Sequence, residues 1–208
     1  MSKYTTEQLK RALSSRNYKF FESGAYNLNI IGIRNSETEH KVTNRFDDLI
    51  TLSYKNDKGE WQYHEFKCTT DPGTHWVENV LNEDGVAILV PGQYSKSHKI
   101  RKHQGKYDAL GQQNPVSVYR DNNRDDIYQM NTESINTGLF GINIHRATAK
   151  VGKTSTQVDK WSAGCQVIAS NDDFKLFMKI CKKARDIWSN NFTYTLLNSK
   201  EIPISWLS

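Results

Sequence analysis

Cysteine is scarce in this chain and unevenly spaced. Cys68, Cys165 and Cys181 are the three among 208 residues. An odd, irregular set is no disulfide framework, and no Cys-x-x-Cys, His-x-His or zincin helix supplies metal-ligand spacing. No cofactor and no metal are therefore expected. Apolar runs are also short. None approaches the ~20 residues that a membrane helix needs, so no membrane insertion is expected. The opening MSKYTTEQLKRALSSRNYKFF lacks the apolar middle and small-residue cleavage site of a secretory signal. The expectation is a protein made in the cytoplasm that needs another route if it acts outside. Internal repeats are absent. The segment Asp121-x-Asn123-x-Asp125 resembles the start of a calcium loop, but Asp126 stands where the loop needs glycine and Thr132 where it needs glutamate, so a polar turn is the better reading. The net charge of +5 is dispersed. Without a basic stripe and interleaved aromatics it reads as a solubilising surface rather than a nucleic-acid footprint.

What is present points to one domain of ordinary size. Aromatic residues are frequent, and Val, Ile, Tyr and Thr are spread widely, which favours strands. Thr5 and Gln8 have capping-box spacing ahead of Leu9 and Leu13, predicting an N-terminal helix. YNLNIIGIRN places Tyr26, Leu28 and Ile30 on one face and Ile31 and Ile33 on the other, so a strand there is buried on both sides. DLITLSYKNDKGEWQYHEFKC reads as a hairpin, GVAILV as a short buried strand, and the segment from Ser95 to Gln113 as a basic hairpin or loop. PVSVYRD alternates. FGINIH alternates strictly, with Phe140, Ile142 and Ile144 on one side and Gly141, Asn143 and His145 on the other. Ser170 caps a helix whose apolar row runs Phe174, Phe177, Ile180, Cys181, Ala184, Ile187 and Trp188. NFTYTLLN closes as a strand. The expected fold is mainly β, with a C-terminal helix and an N-terminal helical segment. Residues 1–85 form an N-terminal extension of helix and strands, packed on residues 86–208 or continuous with them.

One stretch has the residues for nucleophilic chemistry. GINIH ends in His145, and Ser162-Ala163-Gly164 leads into Cys165. A thiolate attacks carbonyls, but a free thiol near 8.5 is mostly protonated at neutral pH. A neighbouring histidine takes that proton to form a thiolate–imidazolium pair and returns it to the leaving amine. His145 lies opposite the apolar face of its strand. Gly164 permits a tight turn that aims its own N–H and that of Cys165 at an oxyanion. CQVIA reads as a strand, so a strand–loop–strand unit brings the two ends of the loop together. The alternative is a packed thiol and a hydrogen-bonded core histidine.

His145, then seventeen positions to Ser162 and the run Ser-x-Gly-Cys, resembles the signature of the L,D-transpeptidase catalytic-domain family, over roughly residues 86–197. The resemblance implies a β-sandwich or barrel catalytic domain in 86–208. It also implies Cys165 as acyl-accepting nucleophile, His145 as general base, Gly164 in the oxyanion site and Ser162 ordering the loop. It implies a peptidoglycan peptide as substrate, with crosslink formation or hydrolysis as the outcome. Three departures concern substrate contacts: Ala163 replaces a second histidine, Gln166-Val167 replaces an apolar-Arg pair, and Arg146 follows His145 in place of glycine. Arg146 is a candidate for a substrate carboxylate or for an exposed salt bridge. His103 and Tyr107 are candidates to line the cleft or belong to an ordinary basic hairpin. Arg120 and Asp121 support the site or pair in a turn. The run from ILVPGQY to WSAGCQVI also resembles proteins of phages and their bacterial hosts. A lysin released through a holin pore, or carried in the virion among other virion proteins, would fit the missing signal. An inactive virion or wall-binding module is the rival of another class.

Overall fold

Both the alternating and the doubly apolar runs become staves of one barrel in the computed structural model, which describes residues 2–202. The strands are β1 (Asn29–Arg34), β2 (Asp48–Lys55), β3 (Trp61–Thr69), β4 (Val86–Leu89), β5 (Gly92–His103), β6 (Tyr107–Gln112), β7 (Val116–Asp121), β8 (Asn136–Gly138), β9 (Ile144–Arg146), β10 (Gln166–Ile168) and β11 (Phe192–Asn198). Three α-helices join them: α1 (Thr6–Ser14), α2 (Thr74–Glu78) and α3 (Asn171–Ile187). The chain is thus mainly β with a few helices. Eight strands close a barrel in the order β1-β11-β5-β6-β9-β10-β3-β2, and β4-β7-β8 form a separate sheet. β1 runs parallel to β11 and β9 parallel to β10; the other barrel pairs are antiparallel. Strands before residue 86 and strands after it are staves of the same barrel.

β1 is buried along its whole length. Ile30 joins the main core with Leu52, Phe66 and Leu110, while Ile31 and Ile33 lie under Leu9 and Leu13 of α1. The capping box of Thr5 and Gln8 starts α1, a device that typically contributes about 1 kcal/mol. Helix α3 adds Phe174, Phe177, Ile180, Cys181 and Ala184 to the main core. Its buried row stops there, because Ile187 and Trp188 at the end of the helix are about half exposed.

The FGINIH segment is a shorter strand than its alternation predicts. Only Ile144–Arg146 is strand, and Gly141 has φ +73. A left-handed residue breaks the pleat. Side chains then replace the missing ladder partners. Gln112 accepts from the N–H groups of Phe140 (3.1 Å) and Ile142 (2.9 Å) and donates to Gly138 O (2.9 Å). The buried His98 lies with Nε2 2.8 Å from Ile142 O. Buried backbone polar groups need such partners, so the segment before His145 is fixed without being a sheet strand.

A buried charge cluster sets the approach to the site. Arg34 Nε lies 2.8 Å from Asp71 Oδ1, and Arg34 Nη2 donates to Leu89 O at 3.0 Å. Asp48 accepts from Thr70 N–H (2.6 Å) and Asn35 N–H (2.7 Å). Burial, with Asp71 close by, pushes Asp48 up to about 7. Arg34 thus ties β1 to the Thr69–Gly73 loop, which feeds α2 and its Trp76 into the site wall.

Candidate active site on the outer face of the barrel

Cys165 and His145 come together through strand pairing. In the parallel β9–β10 ladder Val167 stands opposite His145. Paired residues of neighbouring strands point to the same side, and Cys165 lies two positions before Val167, so all three share one face. Ile144 and Ile168 point into the main core, which makes that shared face the outer one. The loop from Ala147 to Ala163 folds back over it. Ser155 N–H donates to Ala169 O (3.0 Å), Val158 N–H to Asn44 O (3.0 Å), and Gly73 N–H to Ser162 O (2.8 Å). Phe46, Ala147, Val158, Val167 and Ala169 form a small apolar cluster beneath it, and Cys165 packs at its edge.

The Ser162–Cys165 turn is tightly specified. Ser162 is fully buried; its hydroxyl donates to Cys165 O at 2.7 Å and accepts from Gly164 N–H at 3.1 Å. Gly164 has φ +128, and a Cβ there would fall on the carbonyl oxygen of Ala87 in β4. Glycine is required on both counts. The Gly164 N–H is turned to Ser162 and not to an open oxyanion position. Among the described residues the Cys165 N–H has no hydrogen-bond partner, and it is the motif donor that remains.

The Cys165 thiol and the His145 imidazole both favour their uncharged forms. The Cys165 thiol donates to Gly141 O at 3.2 Å, and no hydrogen bond joins it to His145. Burial pushes the thiol up to about 11, with the Asn143 backbone N–H on the sulfur pulling the other way. Burial holds His145 down to about 4, against the hydrogen bond to Arg146 O and helped by neighbouring His103. A thiol near 11 and an imidazole near 4 are ordered against the resting thiolate–imidazolium pair expected from the sequence. His145 Nδ1 lies 3.0 Å from the carbonyl of Arg146. A carbonyl only accepts, so Nδ1 carries the proton and Nε2 is left unprotonated.

The other candidates line the same opening. His103, at the tip of the β5–β6 hairpin, stacks on His145 with centroids 4.3 Å apart and contacts Tyr107 at 5.5 Å. Burial also lowers His103, with Arg101 and Lys106 adding to it. Arg146 forms no ion pair among the described residues. Its guanidinium lies over the Tyr107 ring at 4.1 Å and donates to Asn171 Oδ1 at 3.0 Å. Cys165, His145, His103, Tyr107 and Arg146 all line one cavity of about 690 Å³. Ala163 and Cys165 also line a second cavity of about 420 Å³, bounded by Arg120 and Phe140. The thiol therefore stands where two cavities meet. Asp121, by contrast, caps its own turn, accepting from Asn123 N–H at 3.3 Å and Gln129 N–H at 3.3 Å.

Sequence reading missed several wall residues. Trp76 and Trp161 flank the larger cavity with Lys106 and Lys160, and Trp76 Nε1–H donates to Lys160 O at 3.1 Å. Trp161 stands immediately before the Ser162 turn, and a half-exposed Trp beside a nucleophile motif is a usable signal. Trp76 has no such local signal, because it reaches the site only through the β3–α2 connection. The Gly141 carbonyl that holds the thiol is likewise invisible in a pattern of side chains.

No helix among the described residues is long and apolar enough to cross a membrane. No group of three or more His, Cys, Asp or Glu residues among them is arranged to hold a metal ion. No protein-family model, no curated protein and no solved structure matches this chain.

Proposed function

We propose that this chain is a cysteine-dependent acyl-transfer enzyme with an L,D-transpeptidase-like catalytic domain, acting on peptidoglycan peptides as a phage-type peptidase. The observation that supports it most is the placement of Cys165 and His145 on one outer face of adjacent parallel strands, opening on one cavity, with Nε2 as the unprotonated imidazole nitrogen. Cys165 Sγ attacks the amide carbonyl of a stem peptide or crosslink while its proton passes to His145 Nε2. The Cys165 N–H faces the developing oxyanion. The C–N bond then breaks, the imidazolium protonates the departing amine, and a thioester remains on Cys165. Water releases the acid; an amine acceptor would release a new crosslink. Two cavities at the thiol give separate approaches to acyl donor and acceptor. The larger one has Lys106, Arg146 and Lys160 as its formal charges, which fits a carboxylate-bearing stem peptide. Hydrolysis is the preferred outcome, because a lysin must cut on balance. The enzyme would reach the wall by release from the host or as a virion component.

The test is mass spectrometry of purified sacculi incubated with wild type and with Cys165→Ala. New free termini made by wild type alone support the peptidase, and new crosslinks support the transpeptidase. A second reading, an inactive virion or wall-binding module, is favoured by Ala163 and by the thiol's bond to Gly141 O in place of His145. Sacculi that bind both proteins but stay unchanged would establish it and sink the enzyme.

A further inference from the structure

The second cavity at Cys165 has a distinctive electrostatic make-up. Among the described residues that line it, Arg120 is the one charged side chain; the others are apolar or neutral, including Leu139, Phe140, Ile142 and Asn82. Arg120 projects from β7 opposite Ala87 of β4. The carbonyl of Ala87 is the atom against which Gly164 turns. The guanidinium is thereby built into the same framework that presents the thiol. It lies over the Phe140 ring at 4.8 Å and gives one hydrogen bond, from Nη1 to Gly85 O at 3.3 Å. Its Nε is buried with no hydrogen-bond partner, and among the described residues it forms no ion pair. Guanidinium is a planar fork of five donors that matches a carboxylate in bidentate fashion. Here only one donor of the terminal nitrogens is used, on the wall of a cavity that Cys165 also lines.

We infer that this cavity is a carboxylate subsite, with Arg120 as the residue that anchors a free carboxylate of the ligand and so directs a neighbouring carbonyl toward Cys165. The inference deepens the proposed function by assigning a charge requirement to one of the two approaches. Phe140 supports the inference from beneath. A ring face under the guanidinium fixes its plane while leaving its edge for the ligand. Leu81 and Leu139, both exposed, add apolar surface to the wall around it. Arg120 is a specificity residue in this account, and it exchanges no proton.

The probes are 3-maleimidopropionic acid and its amide, which differ only in the carboxylate, applied to the full chain. Their relative rates of adding Cys165 across the maleimide double bond are compared with those for a small-molecule thiol. The acid should gain roughly tenfold over the amide beyond its solution ratio, as expected of one charge-assisted pair. Arg120→Met should abolish that gain, and Arg120→Lys should keep part of it. Circular dichroism and thermal melts establish that each variant is folded. Equal corrected rates for acid and amide on wild type would overturn the inference, and so would a preference that survives Arg120→Met. The measurement does not depend on wall chemistry. A carboxylate preference with inert sacculi would keep the subsite and discard the peptidoglycan reading; cut sacculi with no preference would do the reverse.

Discussion

The charge state of Cys165 has a measurable consequence that separates a resting ion pair from a neutral pair. Cys68 and Cys181 are fully buried, so in the native protein alkylation reports on Cys165. At pH 7.5 a thiol near 8.5 is about 9% thiolate. Cys165, held up to about 11 by burial, is about 0.03% thiolate, roughly 300-fold less. The more basic thiolate is also the better nucleophile; with a Brønsted coefficient near 0.45 this recovers about 13-fold. Iodoacetamide should therefore modify Cys165 about 20-fold more slowly than a small-molecule thiol at pH 7.5. The rate should keep rising about tenfold per pH unit to at least pH 10, where the reference has levelled off. His145 is not the cause of the thiol's state, so His145→Ala should leave the shape of the profile unchanged. Stopped reactions followed by intact mass spectrometry measure both profiles. A preformed thiolate–imidazolium pair would make Cys165 outpace the reference thiol between pH 6 and 7 and lose that speed in His145→Ala, and that outcome would overturn the neutral pair.

Two further perturbations follow from the packing around the site. Gly164→Ala should cost about 2–4 kcal/mol in urea unfolding, from an unfavourable φ and a contact with the Ala87 carbonyl; a loss below about 0.5 kcal/mol would mean that the turn relaxes freely. His98 is fully buried, with Nδ1 2.8 Å from Ser97 Oγ and Nε2 2.8 Å from Ile142 O, and burial lowers it to about 4. The unfolded chain therefore binds its proton first. The stability this group contributes is complete above about pH 6.5 and is lost as pH falls toward 4, by about 3 kcal/mol. Urea unfolding from pH 7.5 to 4.5 should show a shallower acid slope in His98→Gln than in wild type, and equal slopes would remove His98 from the account.

Much of this architecture was legible because one local rule governed it. The α1 cap, the doubly buried β1, the β2–β3 hairpin and the core row of α3 each follow from spacing that neighbouring structure reinforces. The barrel did not follow in the same way. Its closure depends on β1 pairing with β11, two segments more than 150 positions apart, and short-range patterns have no term for that. FGINIH alternates as a strand should, yet Gly141 turns left-handed and Gln112 supplies the backbone partners from another strand. Side-chain replacement of a ladder leaves no trace in periodicity. The same gap hid the charge states. His145 and Cys165 were visible as residue types, but how dry their surroundings are is set by the folded-back Ala147–Ala163 loop.

That loop also explains why the site lies outside the barrel. The barrel interior is packed with side chains such as Phe66, Leu110, Ile144 and Tyr194. An outer face would normally be wet, and a thiol there would keep an ordinary titration. The Ala147–Ala163 segment, the His103 hairpin tip and α2 converge over β9 and β10 and withdraw that patch from water. They leave two approaches to the sulfur. In the proposed enzyme this keeps the thiol neutral at rest, and its proton moves only when a carbonyl arrives to take up the developing charge. Such a site guards its thiol against alkylation and oxidation between encounters. It also places the demand for activation on the ligand's own contacts, with Arg120 on one side and Arg146 and the lysines on the other.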